Sequence, residues 1–345
     1  MSGFYDIVSR MRRHYCGFAV FCIIFAAVIP DLSPADSSDI IEIRSKPLSG
    51  FDRSDSTRRR FGSLLYRGGL VLTSSYEFFG GISAFRVQSD GAHFIALSDH
   101  GFWLRGRIIY DGERPTGIAD AEMALVFDAD GKHSGRLDTE SLAEDDGILF
   151  AGLERTQSIL RFDYGKYGFL APGQPIEIPA EIKKWPFNQS LEGLVFVPKR
   201  YPLSGTLIAL SECALDESGN LEAFLIGGPS PGKFTVKRTD EYDITDADLL
   251  PGGGLLILER KYSPESGVAI RIRRIELKDL KPGALIDGPV VMEADKNFEI
   301  DNMEALSIHR AASGGTVLTL VSDDNFSPEQ RTLLLQFILL PHADP

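Results

Sequence analysis

Three features of the 345-residue sequence predict an all-β fold, and within it a β-propeller of five to six four-stranded blades closed by an N-terminal strand. First, one pattern recurs along the chain: an acidic residue, a short apolar strand, a turn, and a second apolar strand ending on an acidic residue. Second, its copies stand 57, 52, 54 and 58 residues apart when counted from Ser83 through Glu140, Glu192, Asp246 and Glu304. Repeats of about 40–50 residues holding several strands each read as propeller blades. Third, no segment shows a sustained helical period, and only a turn or two of helix is expected, near 180–184 and 327–331.

The copies follow in order. Ile82 to Phe85 leads to Phe94–Ala96 and ends in Ser98-Asp99-His100-Gly101. Thr139-Glu140-Ser141-Leu142 leads to Ile148 to Leu153 and ends in Glu154-Arg155. Leu191-Glu192-Gly193-Leu194 leads to Thr206 to Ser211 and ends in Glu212. Thr245-Asp246-Ala247-Asp248 leads to Leu255 to Leu258 and ends in Glu259-Arg260. Met303-Glu304-Ala305-Leu306 leads to Val317 to Ser322 and ends in Asp323-Asp324-Asn325. Each copy has room for two further strands, such as 221–226 and 234–238 in the third and 269–277 and 289–293 in the fourth. The last copy stops one strand short after 332–340. A strand near 69–74 is expected to complete it, which would leave no open sheet edge. Residues 40–75 hold two or three strands and could also belong to a sixth blade.

Residues 1–35 read as a secretory signal peptide, with 36–345 forming the propeller domain. Arg12 and Arg13 precede an apolar stretch from Gly17 to Ile29, and Ser33-Pro34-Ala35 offers small residues for cleavage. The stretch is shorter than the ~20 residues of a spanning helix, so membrane attachment is expected only if the segment stays uncleaved. A periplasmic or secreted monomer follows. Cys16 and Cys22 would leave with the signal, and Cys213 then remains as a single thiol without a disulfide partner. A net charge of -13 and a pI near 5.0 argue against nucleic-acid binding, which needs a basic face.

Antiparallel pairing places the start of a blade's first strand and the end of its second at the same end of the blade. Two acidic sets should therefore share one mouth of the central channel. The first comprises Glu140, Glu192, Asp246 and Glu304. The second comprises Asp99, Glu154, Glu212, Glu259 and Asp323, with Asp324 beside it. Like charges so placed repel unless neutralised, either by Arg155 and Arg260 or by a bound cation. Ca²⁺, which takes 6–8 oxygen ligands, suits such a donor set, and these ten carboxylates are the candidate ligands. Acidic residues that merely cap turns, repeated because the blade is repeated, are the competing explanation, but capping alone could use Asn or Ser, which favours a cation or ligand site for the cluster as a whole.

The segments Gly80-Gly81-Ile82-Ser83, Ser98-Asp99-His100-Gly101, Asp138-Thr139-Glu140, Leu191-Glu192-Gly193-Leu194, Leu256-Ile257-Leu258-Glu259-Arg260 and Asp301-Asn302-Met303-Glu304 resemble the phytase-like domain family, also called "esterase-like activity of phytase". Ser322-Asp323-Asp324-Asn325-Phe326 is similar to that family's C-terminal motif. The resemblance spans about residues 78 to 339. It implies an exported bacterial propeller with phosphoester or ester hydrolysis as its candidate activity, acting on a small phosphate ester or ester.

Two chemistries and one non-enzymatic role compete. A serine esterase would need Gly-x-Ser-x-Gly at a strand-to-helix elbow, which is absent, although Ser83, Ser211 and Ser322 fall near the mouth with His100 and His309 as candidate bases. Metal-assisted phosphoester hydrolysis fits the acidic mouth better. In that reading Arg155 and Arg260 bind phosphate oxygens and His100 is the general acid. The alternative is a periplasmic propeller that binds a cation or ligand at the same mouth without turnover.

Overall fold

The computed structural model describes residues 38–133, 137–187 and 189–341. The signal-peptide reading of 1–35, with Cys16 and Cys22, lies outside the described residues. Among the described residues no helix is long and apolar enough to cross a membrane.

The described chain forms five sheets arranged as the blades of a propeller, antiparallel throughout except where Leu285–Ile286 adds in parallel to the outer edge of the third. Their innermost strands are Ile82–Val87, Thr139–Asp145, Leu191–Phe196, Asp243–Leu249 and Asn302–Arg310, for blades 1 to 5. Each pairs with the next strand in sequence, and the chain then steps outward through the sheet. The strands expected in the third, fourth and last copies are present as Leu221–Gly227, Gly232–Val236, Gly267–Glu276, Val290–Ala294 and Thr332–Leu339. Residues 38–74 make no separate sheet. Ser38–Ile40 pairs with the outer strand Arg114–Leu125 of blade 1, whereas Leu64–Ser74 and Ile43–Pro47 extend blade 5 beyond Thr332–Leu339. Helix is confined to single turns, one at 182–184 as expected, and the segment 327–331 is turn.

The core is distributed rather than central. Alternation along a strand sends residues to both faces of a sheet, and both faces of a blade pack on neighbours. Five apolar clusters result, one at each junction between adjacent blades. Ile95 and Trp103 meet Leu142 and Leu149 between blades 1 and 2, and Phe150 meets Leu194 and Phe224 between blades 2 and 3. Ile208 meets Ile257 between blades 3 and 4, and Ile270 meets Leu318 and Leu335 between blades 4 and 5. Leu70 and Leu334 of blade 5 meet Ile82 and Phe94 of blade 1. Buried hydroxyls stitch the innermost strands together. Ser83 donates to the Thr139 carbonyl at 2.5 Å, Ser141 to Leu191 at 2.6 Å and Thr245 to Met303 at 3.1 Å.

Every innermost strand carries a β-bulge at the same step. The register shifts between Ile82 and Ala84, Leu191 and Gly193, Ile244 and Asp246, and Met303 and Ala305; in blade 2 the shift falls at Glu140. The extra residues are thus Ser83, Glu140, Glu192, Thr245 and Glu304. This corrects the expected alignment in blade 4, where Thr245 and not Asp246 is the counterpart of Glu140. A one-residue slip moves a side chain to a different environment. Asp246 accordingly lies below the mouth, 1% exposed, where it accepts Arg86 Nη1 at 2.7 Å and Nη2 at 2.9 Å and the backbone N–H groups of Ala247 and Leu306.

Arg86 also donates to the carbonyls of Phe85, Leu194, Ala247 and Leu306, so it spans the channel between the innermost strands of blades 1, 3, 4 and 5. Removing one partner of such a buried, fully hydrogen-bonded pair leaves the other charge stranded. Asp246→Asn is expected to destabilise the fold by about 3–5 kcal/mol, read from the denaturant midpoint, and to leave cation affinity at the mouth unchanged. A loss of cation affinity without a loss of stability would contradict this placement.

Candidate functional site

The bulges and the ends of the second strands bring Glu140, Glu192 and Glu304 together with Asp99, Glu154, Glu212 and Asp323. Sequence reasoning missed one neighbour as a site residue, Asp138. It sits in the turn before the blade 2 strand with a positive φ of 50°, and its carbonyl accepts the Glu154 N–H at 2.9 Å. Oxygens of Asp138, Glu140 and Glu154 all lie within 4.8 Å of one another, as do those of Glu154, Glu192 and Glu212. Glu154 belongs to both groups. Its Oε1 also accepts the Ser190 N–H at 2.7 Å, which fixes it across the blade 2–3 junction.

Blade 4 contributes a cation where the other blades contribute an acid. Arg260 pairs in sequence order with Asp99, Glu154, Glu212 and Asp323, because Glu259 lies opposite Ile244, one step earlier in the strand. It reaches Glu212 Oε1 at 3.2 Å and contacts Glu304 Oε1 and the Asn302 side chain. Glu259 is therefore not at the mouth. It is wholly buried against the third strand of its own blade, bound by Arg271 and Arg273 at 2.8 Å each. Asp324 is also removed from the candidate ligands, since its two oxygens are occupied by the N–H groups of Gly81 and Phe326 and by the Thr332 hydroxyl.

The remaining predicted residues form the rim. Arg155 is half-exposed and holds Asp138 at 2.8 Å. His100 is exposed and stacks on Phe326 with ring centroids 4.2 Å apart. Asp323 Oδ1 accepts the Asn325 N–H at 2.6 Å. A cavity of about 650 Å³ opens beside Glu212, Arg260 and Asn302, with Lys261, Tyr262 and Asp301 on its walls.

The serine reading loses its geometry. Ser83, Ser211 and Ser322 all donate to backbone carbonyls, and His309 lies near the far end of its strand, five residues beyond Glu304.

Charge at the mouth is unbalanced. Burial, then the neighbouring Glu154, Asp138, Asp99 and Glu304, push the Glu140 carboxyl well above the usual range. Burial and then Glu140, Glu212, Glu304 and Glu154 do the same to Glu192. Burial pushes Glu154 and Glu212 up to about 7 and Asp323 up to about 8. Glu304 is raised by burial in spite of Arg260, and its Oε2 is buried with no hydrogen-bond partner. The donor set is all oxygen, which fits a hard cation and offers no nitrogen or sulfur for a soft one.

A family model described as phytase-like, "esterase-like activity of phytase", matches residues 77–326. The chain belongs to the phytase-like family. The matched span of this phytase-like chain contains every mouth residue named above. No curated protein sequence matches it. Among solved structures, Myxococcus xanthus glutaminyl cyclase is similar at 8% identity, covering 88% of this chain and 97% of the other with a TM-score of 0.41. U3-55K is similar at 11% identity over 76% of this chain and 97% of the other, with a TM-score of 0.37. The RRP9 WD40 repeats are similar at 8% identity over 76% and 95%, also with a TM-score of 0.37.

The raised carboxyls set a pH dependence. Each binds its proton more tightly in the folded than in the unfolded chain, where carboxyls titrate near 4 (about 3.9–4.3). Between that value and about 8 the native state holds more protons, so stability is greatest at the acid side and falls as pH rises. Metal-free protein is expected to lose thermal stability progressively from about pH 5 to about pH 8. A midpoint that stays level or rises over that window would show the mouth is not under charge strain.

Proposed function

We propose that the acidic mouth binds divalent cations, with Ca²⁺ the best chemical match, and that the protein is an exported phosphoester or ester hydrolase acting at that mouth. The observation that carries this reading is the pair of overlapping carboxylate groups, Asp138/Glu140/Glu154 and Glu154/Glu192/Glu212, with Glu154 common to both. Carboxyls crowded this closely and buried are held partly protonated, and a cation is the ligand that lets them ionise together. Asp99 and Glu304 add their charge to this crowd, raising Glu140 and Asp323, without joining either group. A bound dication would neutralise a phosphoryl or carbonyl oxygen and lower the pKa of a coordinated water.

The chain's own residues have separable roles in this scheme. Glu304 and Glu212 hold Arg260 toward the cavity, where a guanidinium can take two oxygens of a phosphate or carboxylate. Arg155 orients Asp138 from the rim, and Lys261 adds a second positive charge to the cavity wall. His100, exposed beside Asp99, is placed to give a proton to a leaving oxygen. Export rests on the composition of residues 1–35.

Calcium at about 100 times its dissociation constant should raise the melting midpoint by about 4 °C, and a chelator should reverse the rise. Glu192→Gln should fold and should raise the midpoint of the metal-free protein near pH 7, because the amide is neutral without taking up a proton on folding. The same variant should bind calcium at least about tenfold more weakly and lose hydrolysis of chromogenic phosphate and carboxylate esters. Calcium stabilisation without turnover of either ester would leave a cation-binding propeller as the function. The absence of any calcium effect would overturn the metal site itself.

A further inference from the structure

The junction of blades 5 and 1 holds a buried positive charge with no counter-ion. Arg67 is 9% exposed and sits where Leu64–Ser74 gains one residue on its partner, between the pairs Tyr66–Phe337 and Gly68–Gln336. A bulge of this kind re-aims the side chain of the extra residue. The Nε of Arg67 has no hydrogen-bond partner, and no salt bridge to it forms among the described residues. The guanidinium lies 5.6 Å from the centre of the Tyr110 ring.

His309, 5% exposed, shares this environment, and its Nδ1 is likewise buried without a partner. Burial, and then the charge of Arg67, hold its imidazole neutral by lowering its pKa to about 4. Both side chains line a cavity of about 190 Å³ that is open to solvent on one side and walled elsewhere largely by small residues and backbone of 91–92 and 311–313. Two carboxylates also face the cavity, and both are engaged. Asp90 is bound to His93 Nδ1 at 2.5 Å and to two backbone N–H groups, and Glu113 accepts the Ser313 hydroxyl at 2.9 Å.

A buried guanidinium without a counter-charge is strongly unfavourable, and its planar fork matches two oxygens of one anion. A neutral imidazole can donate a further hydrogen bond from the tautomer that carries its proton on Nδ1. The cavity has room for a small anion beside the guanidinium. We propose that this cavity is a binding site for a small oxyanion, a phosphate or a short carboxylate, held by Arg67 and His309 at the end of blade 5 remote from the acidic mouth.

Thermal unfolding of protein stripped over a chelating resin, at pH 7 and constant ionic strength, tests this with inorganic phosphate, acetate and chloride as probes. A saturable rise of the midpoint is expected with phosphate, with acetate, or with both, and none with chloride; the two oxyanion arms identify the preferred class. The half-saturating concentration should increase about tenfold or more in Arg67→Met and stay unchanged in Glu192→Gln, which alters only the acidic mouth. Should Arg67→Met fail to fold, His309→Phe takes its place, and calorimetric titration of the unaltered protein gives the stoichiometry. Absence of a saturable effect on the unaltered protein, or an equal effect in the Arg67 or His309 variant, would overturn the site and leave a hydrated cavity.

Discussion

A β-bulge at one fixed step of each innermost strand decides which side chains meet at the channel mouth. Alternation along a regular strand would send successive residues to opposite faces, whereas the inserted residue breaks the alternation and re-aims a side chain. Ser83, Glu140, Glu192, Thr245 and Glu304 occupy that step. Three of the five are glutamates, and the strand that returns beside each blade ends at the same level with Asp99, Glu154, Glu212, Arg260 or Asp323. The acidic mouth is therefore a product of backbone register repeated around the propeller. Its composition can change one blade at a time without disturbing the apolar clusters between blades.

That geometry has an electrostatic consequence. Carboxylates placed by backbone register cannot move apart to relieve repulsion, and burial removes the water that would screen it. The mouth answers in two ways. Arg260 neutralises Glu212 and Glu304 on the blade 4 side, while on the blade 2–3 side no cation among the described residues makes a salt bridge to Glu140 or Glu192, and both carboxyls are raised well above the usual range. The uneven distribution of Arg260 thus leaves one half of the mouth structurally satisfied and the other half in want of a cation. Of the two carboxylate groups, every member except Glu212 falls in that second half.

The same register explains how far the sequence could be read. The repeat, the innermost strands and most of the outer ones were legible, because apolar runs broken by turns recur at nearly constant spacing. The bulge glutamates of blades 2, 3 and 5 were legible too, since no other acid adjoins Glu140, Glu192 or Glu304 in the chain. Blade 4 was not. Its Thr245-Asp246 and Glu259-Arg260 each offer an acid one residue from the true position, and spacing alone cannot separate 53 from 54 in a repeat that varies by several residues. Asp246 and Glu259 were accordingly misplaced by one step, and Arg260 was taken for a follower of the mouth when it is a member. Asp138, quoted only within the segment Asp138-Thr139-Glu140, was not read as a site residue because it precedes its strand with a positive φ, where no periodicity applies. Arg67 gave no signal at all, for its burial depends on a bulge in a strand whose partner lies more than 260 residues away in the sequence.

The two ends of the channel are chemically separate, and Arg86 is the reason. Its guanidinium is anchored on both oxygens of Asp246 and on carbonyls from four blades, so it crosses the channel a step below the bulges. A side chain with its donors so fully engaged has little freedom to swing aside, because each lost hydrogen bond would strand a buried polar group. A ligand at the acidic mouth must then enter and leave by that face alone, and a bound cation there is screened from the basic residues near the far end, among them Arg200 and Arg310. The charge of Arg86 is matched within this floor by Asp246, with Asp248 and Glu144 also nearby. The propeller in this way supports an acidic site on a neutral, rigid floor, and the site's remaining charge imbalance is left for a ligand to resolve.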